Sequence, residues 1–446
     1  MFKKKHCIYE KNSIIFRAVE LFIHATSTKI LYKTKCSAFT RNRKLPFELI
    51  ILYLLNMPKR TLCLELQDFF SYIRKGYNTL TKKISTSAFT QRRKNLSPDV
   101  FNGMNQVLVD EFYTDNEERV NLWEGYRLLA VDGSIISLPF SKDLKEQYGV
   151  VKNYSQIDDY IFGRVSVLYD VRNNLALDGI LCSTSIGEIA IANNHVKLLK
   201  EKDLVILDRG YPSFDLAYKI QEQSADFLYR CKYSFNNVTK QFMAQNSDDS
   251  IVEIKAGKGT KFSTKPYTQS TTITVRLIKV RLDNGEIELL MTSLLDSKKY
   301  PCKCFKSLYY ERWGVETYYD RLKNILALEN FSGLTQHAIL QDFQCAIFIS
   351  NVQTLIIDEA QEGIKGKYDK RKYEYKINSS ISLGLMKYRI IDLFFNKGSE
   401  TTLKELEELL IDHVIPIRKG RSFKRDVDKY INRKKPPMFK NRKKVL

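Results

Sequence analysis

Residues Leu308 to Lys323 read LYYERWGVETYYDRLK. At about 100° per residue, Tyr309, Arg312, Glu316 and Lys323 fall within an arc of roughly 60°. Leu308, Val315 and Leu322 stack on a neighbouring stripe with Leu326 beside it. The stretch therefore predicts a helix with one buried apolar seam and a charged edge next to it. A solvated edge needs only Lys, Glu and Asp at arbitrary spacing. A carboxylate held between an arginine and a lysine also suits a metal ion attended by groups that grip phosphate oxygens. Periodicity alone leaves both readings open.

Working outward, two upstream aspartates close apolar runs: Asp132 in LLAVDGS and Asp208 in DLVILDRGYPSF. Either alone reads as a residue that ends a strand. Together with Tyr309, Arg312, Glu316 and Lys323 at their particular spacing, they make the chain resemble bacterial DDE transposases of the insertion-sequence-four family, of the cut-and-paste type, from residue 36 to 440. The resemblance implies an α/β fold: a ribonuclease-H-like catalytic core with an inserted β-rich domain, a helical N-terminal DNA-binding region and a basic C-terminal tail. It implies Asp132, Asp208 and Glu316 as catalytic acids and metal ligands. These are hard oxygen donors suited to Mg2+, or Mn2+ as a substitute, two ions per active site during catalysis. Tyr309, Arg312 and Lys323 then position phosphate, and Arg230 at the end of FLYR matches a further basic position, although a structural ion pair explains it equally.

The implied partners are double-stranded DNA with terminal inverted repeats and a target DNA, met by a homodimer in the synaptic complex. The implied place is cytoplasmic, on bacterial chromosomal or plasmid DNA, with no membrane. The implied reaction cuts at the repeats and joins the 3′ ends to the target. A metal-dependent nuclease without strand transfer, or a catalytically silent DNA-binding protein derived from a transposase, fits the same residues. Family members use an aromatic, often tryptophan, to hold a flipped base. Here the tryptophans are Trp123 and Trp313, which leaves Tyr267 or Phe262 as substitutes in the β-rich segment.

Charge is distributed unevenly. Of the net +21, residues 1–100 carry +14 and residues 411–446 carry +10, so the middle is slightly acidic. This describes a near-neutral body with two basic attachments suited to a polyanion. The eight cysteines lack paired zinc-type spacing and fit a reducing compartment. LPFELIILYLLNM, from Leu45, is short of the roughly 20 residues that span a bilayer and reads as a core helix. The start, MFKKKHC, is not followed by a signal-peptide pattern.

In chain order, residues 1–120 read as a helical DNA-binding region. The phrase SAFT occurs at Ser37 and again at Ser87, each time before a basic cluster, as a serine cap on a cationic helix start. The second copy offers Gln91, Arg92, Arg93 and Lys94 to DNA, as a groove reader or a backbone contact. Residues 121–230 read as the first part of the core, with a hairpin at Asn173 and Asn174. Asp170 and Asp178 are turn acids or site neighbours, Asp203 is a turn residue, and His195 lies on a helix surface or behind the acids. Residues 231–300 read as the inserted β-rich domain, and 301–360 as the catalytic helix and the end of the core, with an apolar helix across the sheet. Residues 361–446 are a helical basic region, partly disordered. Deleting residues 416–446 should weaken DNA binding and flatten its salt dependence by about 0.9 in log–log slope per lost phosphate contact. Titrations at several salt concentrations check this, and an unchanged slope assigns the tail to solubility.

Overall fold

The computed structural model describes residues 2–40, 45–77, 84–114, 118–151, 160–257, 263, 265–364, 366–368, 370–395 and 399–418. The chain divides into two compact units, one of Met1–Asn116, Ser137–Phe162 and Arg321–Leu446, the other of Glu117–Ile136 and Gly163–Asp320.

The second unit is built on an eight-stranded sheet. Its strands are β1 (Arg127–Leu138), β2 (Ile161–Asp170), β3 (Leu175–Ser183), β4 (Asp203–Leu207), β5 (Asp226–Cys231), β6 (Asp249–Lys255), β7 (Thr272–Arg281) and β8 (Ile287–Thr292), in the order β3-β2-β1-β4-β5-β8-β7-β6. All of β4 and the first five residues of β1 are buried, as central strands covered on both faces require. β4 runs parallel to β1 and β5, with the helices Glu188–His195 and Phe214–Glu222 in the connections around it. β2 and β3 form the antiparallel hairpin expected from Asn173 and Asn174. Asp170 closes that hairpin by accepting from the backbone N–H of Arg172 (3.0 Å) and Asn173 (2.9 Å), and Asn174 takes the left-handed conformation at φ 55° that asparagine tolerates. This mixed α/β architecture, a central sheet with helices, is consistent with a ribonuclease-H-like core.

Several expectations are corrected. β1 runs past Asp132 to Leu138, so Asp132 does not end its strand; only the pairing with β4 stops there, at Val131 and Leu207. The strands of residues 231–300 do not make a sheet of their own. β8 pairs antiparallel with β5 and carries the core sheet outward through β7 to β6, a choice of edge that alternation in sequence does not encode. The second SAFT lies in the helix Thr86–Arg93, capped by Ser85, whose Oγ accepts from Ala88 N at 3.2 Å. The first is a turn with Phe39 at φ 58°, not a helix start, and residues 41–44 lie outside the described residues.

The first unit is mainly helical. In the helix Asp99–Tyr113, burial of Val100, Phe101, Met104, Leu108, Val109 and Phe112 marks one apolar stripe. The long apolar helix Gln336–Gly363, expected to cross the sheet, packs with Phe2–His24, Asp99–Tyr113 and Ser399–Ile411 of its own unit. Buried amides set that packing, with Asn351 Nδ2 donating to Asn105 Oδ1 at 2.8 Å. Among the described residues no helix is long and apolar enough to cross a membrane. The basic tail after Arg418 lies outside the described residues.

At the base of the parallel pair, Arg127 Nε and Nη2 donate to the two carboxylate oxygens of Asp203, both at 2.7 Å. Asp203 thus closes the turn from Lys200, whose N–H donates to it at 2.8 Å, and is a buried ion-pair partner as well. Asp203→Ala strands the Arg127 charge and should cost about 3–5 kcal/mol, whereas Arg127→Met with Asp203→Leu should cost far less. Denaturant midpoints test this; a single-mutant loss below about 1 kcal/mol would mean that the fork does not hold the strands.

Candidate active site

The register of the parallel strands places the acids. Val131 lies opposite Leu207, and Leu207 opposite Tyr229. The next residues on the three neighbouring chains are Asp132, Asp208 and Arg230, which come level at strand spacings of about 4.8 Å. Asp132 and Asp208 therefore leave adjacent strands where their ladder ends. Asp132 Oδ1 accepts from Gly133 N at 2.9 Å.

The segment 308–323 is not one uninterrupted helix. A helix Cys302–Tyr310 ends, a second runs Trp313–Asp320, and the chain widens into a π turn at Arg321–Ile325. At the junction the N–H groups of Glu311, Arg312, Gly314 and Val315 each reach back three residues, at 2.9–3.2 Å. The hairpin holds this junction. Arg172 forks onto Glu311 (2.8 and 2.6 Å), and Gly314 lies so close that an added Cβ would meet Val171 at 3.2 Å.

Three hydrogen bonds tie the segment to the acids. Tyr309 OH donates to Asp208 Oδ1 (3.0 Å), Arg312 Nη2 to Glu316 Oε1 (2.8 Å), and Tyr319 OH to the backbone carbonyl of Asp132 (2.7 Å). Arg312 is buried, its guanidinium 5.3 Å from the Trp313 ring centre and 5.9 Å from that of Tyr309. Lys323 lies in the π turn, in the stretch assigned to the first compact unit, whereas Tyr309, Arg312 and Glu316 lie in the unit that holds the aspartates. Burial lowers its ammonium below the ordinary lysine value, against the pull of Glu329.

The acids sense one another. Burial pushes the Asp132 carboxyl up to about 6; the Gly133 N–H and Arg312 oppose this, while Glu316 and Asp208 add to it. Tyr309 is raised by burial and by Asp208, so its phenol keeps the proton it donates. The donor chemistry suits a hard divalent cation: three carboxylates, two level on neighbouring strands, with mutual repulsion that a cation would relieve. The positions do not make a ready cage, since among the described residues no group of three or more His, Cys, Asp or Glu is placed to hold a metal ion. One further carboxylate escaped the sequence reading. Glu188 fills the space a side chain at Gly133 would need, its Oε1 3.2 Å from a Cβ built there, and pairs with Arg164 at 3.2 Å. In sequence it was an ordinary first-turn acid.

Several other candidates have partners within the protein. Arg230 pairs with Glu288 at 2.9 Å, as the ion-pair alternative has it, and also lies close enough to Tyr309 to favour its ionised form. Arg93 is buried, donating to Ser332 Oγ (2.6 Å), the Ala338 carbonyl (2.9 Å) and Asp342 (2.7 Å). It closes the last turn of its helix, and the charge that suggested DNA meets an acid of the protein, which the local sequence does not announce. Arg92 lies 4.2 Å over the Phe39 ring and donates to the Leu45 carbonyl at 3.1 Å, whereas Gln91 and Lys94 are exposed. Tyr267 is buried against Phe214 and Tyr218, its hydroxyl on Asp215 at 3.1 Å, so it offers no open face to a base; Phe262 lies outside the described residues. His195 is buried rather than on a surface, between Asp178 (2.8 Å) and Ser166 (3.0 Å).

Because the folded carboxyl of Asp132 holds its proton to about 6, against an ordinary 3.8, folding is penalised as pH rises through that window, and the full penalty stands above it. Without divalent ions, Asp132→Asn should therefore stabilise the chain by roughly 1–3 kcal/mol at pH 8, with the gain fading toward pH 4. Thermal melts across pH check this; a pH-independent effect would remove the repulsion from the account.

The sequence profile described as Transposase DDE domain matches residues 123–352. No curated protein matches the chain. Among solved structures, the cryo-EM piggyBac transposase synaptic complex with hairpin DNA is similar at 12% identity and a TM-score of 0.37, covering 95% of this chain and 89% of that one. The profile match takes in just over half of the residues, including Asp132, Asp208 and the whole of the 308–323 segment, and on it the chain belongs to the transposase DDE-domain family.

Proposed function

We propose that the chain is a DNA transposase that cuts at the terminal inverted repeats of its element and joins the freed 3′ ends to target DNA, acting on bacterial chromosomal or plasmid DNA as a homodimer in the synaptic complex. What supports this most is the level placement of Asp132 and Asp208 at the end of the β1/β4 ladder, with Glu316 within electrostatic reach of Asp132. Asp132, Asp208 and Glu316 would hold Mg2+ or Mn2+. Bound there, the ions activate water or a DNA 3′-hydroxyl and offset charge on the leaving oxygen.

The chain's own residues do the positioning. Tyr309 fixes one oxygen of Asp208 and leaves the other open. Tyr319, one turn beyond Glu316, holds the backbone of Asp132, so the glutamate helix and the aspartate strand share one anchor. Arg312 keeps a planar cation beside the acids, suited to two oxygens of a phosphate in one plane. Lys323 keeps its phosphate role on the family pattern alone. Gln91 and Lys94 remain as exposed contacts for DNA.

Glu316→Gln preserves size and removes an anionic ligand. It should bind terminal-repeat DNA nearly normally while losing Mg2+-dependent nicking and strand transfer, and Asp132→Asn should behave likewise. Arg312→Ala should weaken both binding and turnover, since its cation meets phosphate before and during displacement. The assay uses the repeats flanking the gene and a target plasmid, reading nicked and joined products at fixed salt. Wild-type cleavage by Glu316→Gln would end this reading. Cleavage without joining by the wild type leaves a nuclease, and binding without cleavage leaves a silent DNA-binding protein.

A further inference from the structure

Residues 365–376 read KGKYDKRKYEYK, cations interleaved with three tyrosines. In the first unit the end of this stretch forms β9 (Tyr375–Ile377), which pairs antiparallel with β10 (Val414–Pro416). The ribbon is fastened to the end of the helix Gln336–Gly363. The Gln361 side chain donates to the Tyr375 carbonyl (3.0 Å) and accepts from Ile377 N (3.1 Å), while Tyr368 OH reaches the Ile411 carbonyl (3.2 Å). Lys367, Lys370, Arg371, Lys372, Lys376 and Arg418 are all exposed on it.

A merely solvated basic face leaves such side chains loose. Here the tyrosines order four of the six, Lys367, Arg371, Lys372 and Arg418. The Arg371 guanidinium lies 4.7 Å from the Tyr368 ring centre and 5.2 Å from that of Tyr375, the two rings being 5.1 Å apart. Lys372 and Arg418 sit 5.5 and 6.0 Å from the ring of Tyr373. Beside them opens a cavity of about 490 Å3, lined among others by Gln361, Arg371, Tyr373, Glu374 and Ile417. Stacking fixes the guanidinium plane while its N–H edge stays available to oxygen acceptors, so part of the ordering cost of a phosphate contact is already met.

We infer that this ribbon is a second polyanion-binding surface, built for the sugar-phosphate backbone of duplex DNA and indifferent to its sequence. Single-strand binders present open aromatic faces on which bases stack. These faces are occupied by cations, which favours backbone contact over base contact. The inference rests on the transposase reading only for the choice of DNA over RNA. It does not involve the carboxylates.

The test measures binding of the full chain to a random-sequence DNA duplex without divalent ions, as a function of salt. Arg371→Gln/Lys372→Gln/Lys376→Gln should lower the log–log salt slope by about 2–3 and the affinity at 0.1 M salt on the order of a hundredfold. A control with equal charge removed from exposed lysines elsewhere, Lys142→Gln/Lys145→Gln/Lys404→Gln, should change the slope by less than about 1. Arg371→Lys should keep the slope yet bind several-fold more weakly, because an ammonium has no planar N–H edge to present while it rests against the two rings. Equal losses in both triple variants, an unchanged slope in the first, or a loss confined to phosphatidylserine vesicles or to an RNA duplex would overturn the inference. Since nothing is cleaved, failure of the carboxylate reading with Glu316→Gln leaves this measurement standing, and the reverse also holds.

Discussion

The site depends on the register between β1 and β4. Two parallel strands can slide by one residue only by turning every side chain to the opposite face, and here both are buried runs with no tolerance for that. The Arg127–Asp203 fork marks the start of the pairing, and Val131 opposite Leu207 marks its end. From this one constraint Asp132 and Asp208 come level. Tyr309 and Tyr319 then reach from the 302–320 segment to one aspartate each, so the helix carrying Glu316 is positioned against the strands by side-chain hydroxyls as well as by packing.

Much of the fold was legible because its signals are local. Apolar runs such as DLVIL and the Asn173–Asn174 turn depend on neighbouring residues, and they fell where the sequence put them, although the serine caps expected at Ser37 and Ser87 did not. Spacing and family likeness singled out the acids, and the strand register brings two of them, Asp132 and Asp208, to the end of one ladder. What escaped was decided at a distance. No local pattern says that β8 joins β5, that Arg93 finds Asp342 249 residues away, or that Glu188 leans over Gly133. Nor does a local pattern announce that the 308–323 stretch departs from one unbroken α period, at a tight junction at residues 311–312 and again at a π turn from Arg321.

The acids also carry a stability cost. Asp132 is half-buried beside two like charges, and Arg312 offsets them only in part. Such a cluster is the kind of local conflict that folds tolerate where chemistry is done and that packing elsewhere compensates. The compensation is visible nearby: the hairpin, the Arg172 fork and the Gly314–Val171 contact brace the chain between Tyr309 and Glu316.

The outward growth of the sheet has a consequence for the chain's behaviour in company. Were the sheet to stop at β5, its border would be DFLYRC, with Phe227, Leu228 and Tyr229 wholly apolar or aromatic and inaccessible in the fold. An open border of that kind invites another chain to add a strand. β8, β7 and β6 move the border outward to DSIVEIK, where Glu253 and Lys255 are exposed charges and Asp249 is held by Arg276 of β7. Charged side chains on an outer strand discourage the addition of another strand, so the added strands leave a border less open to pairing than β5 would be.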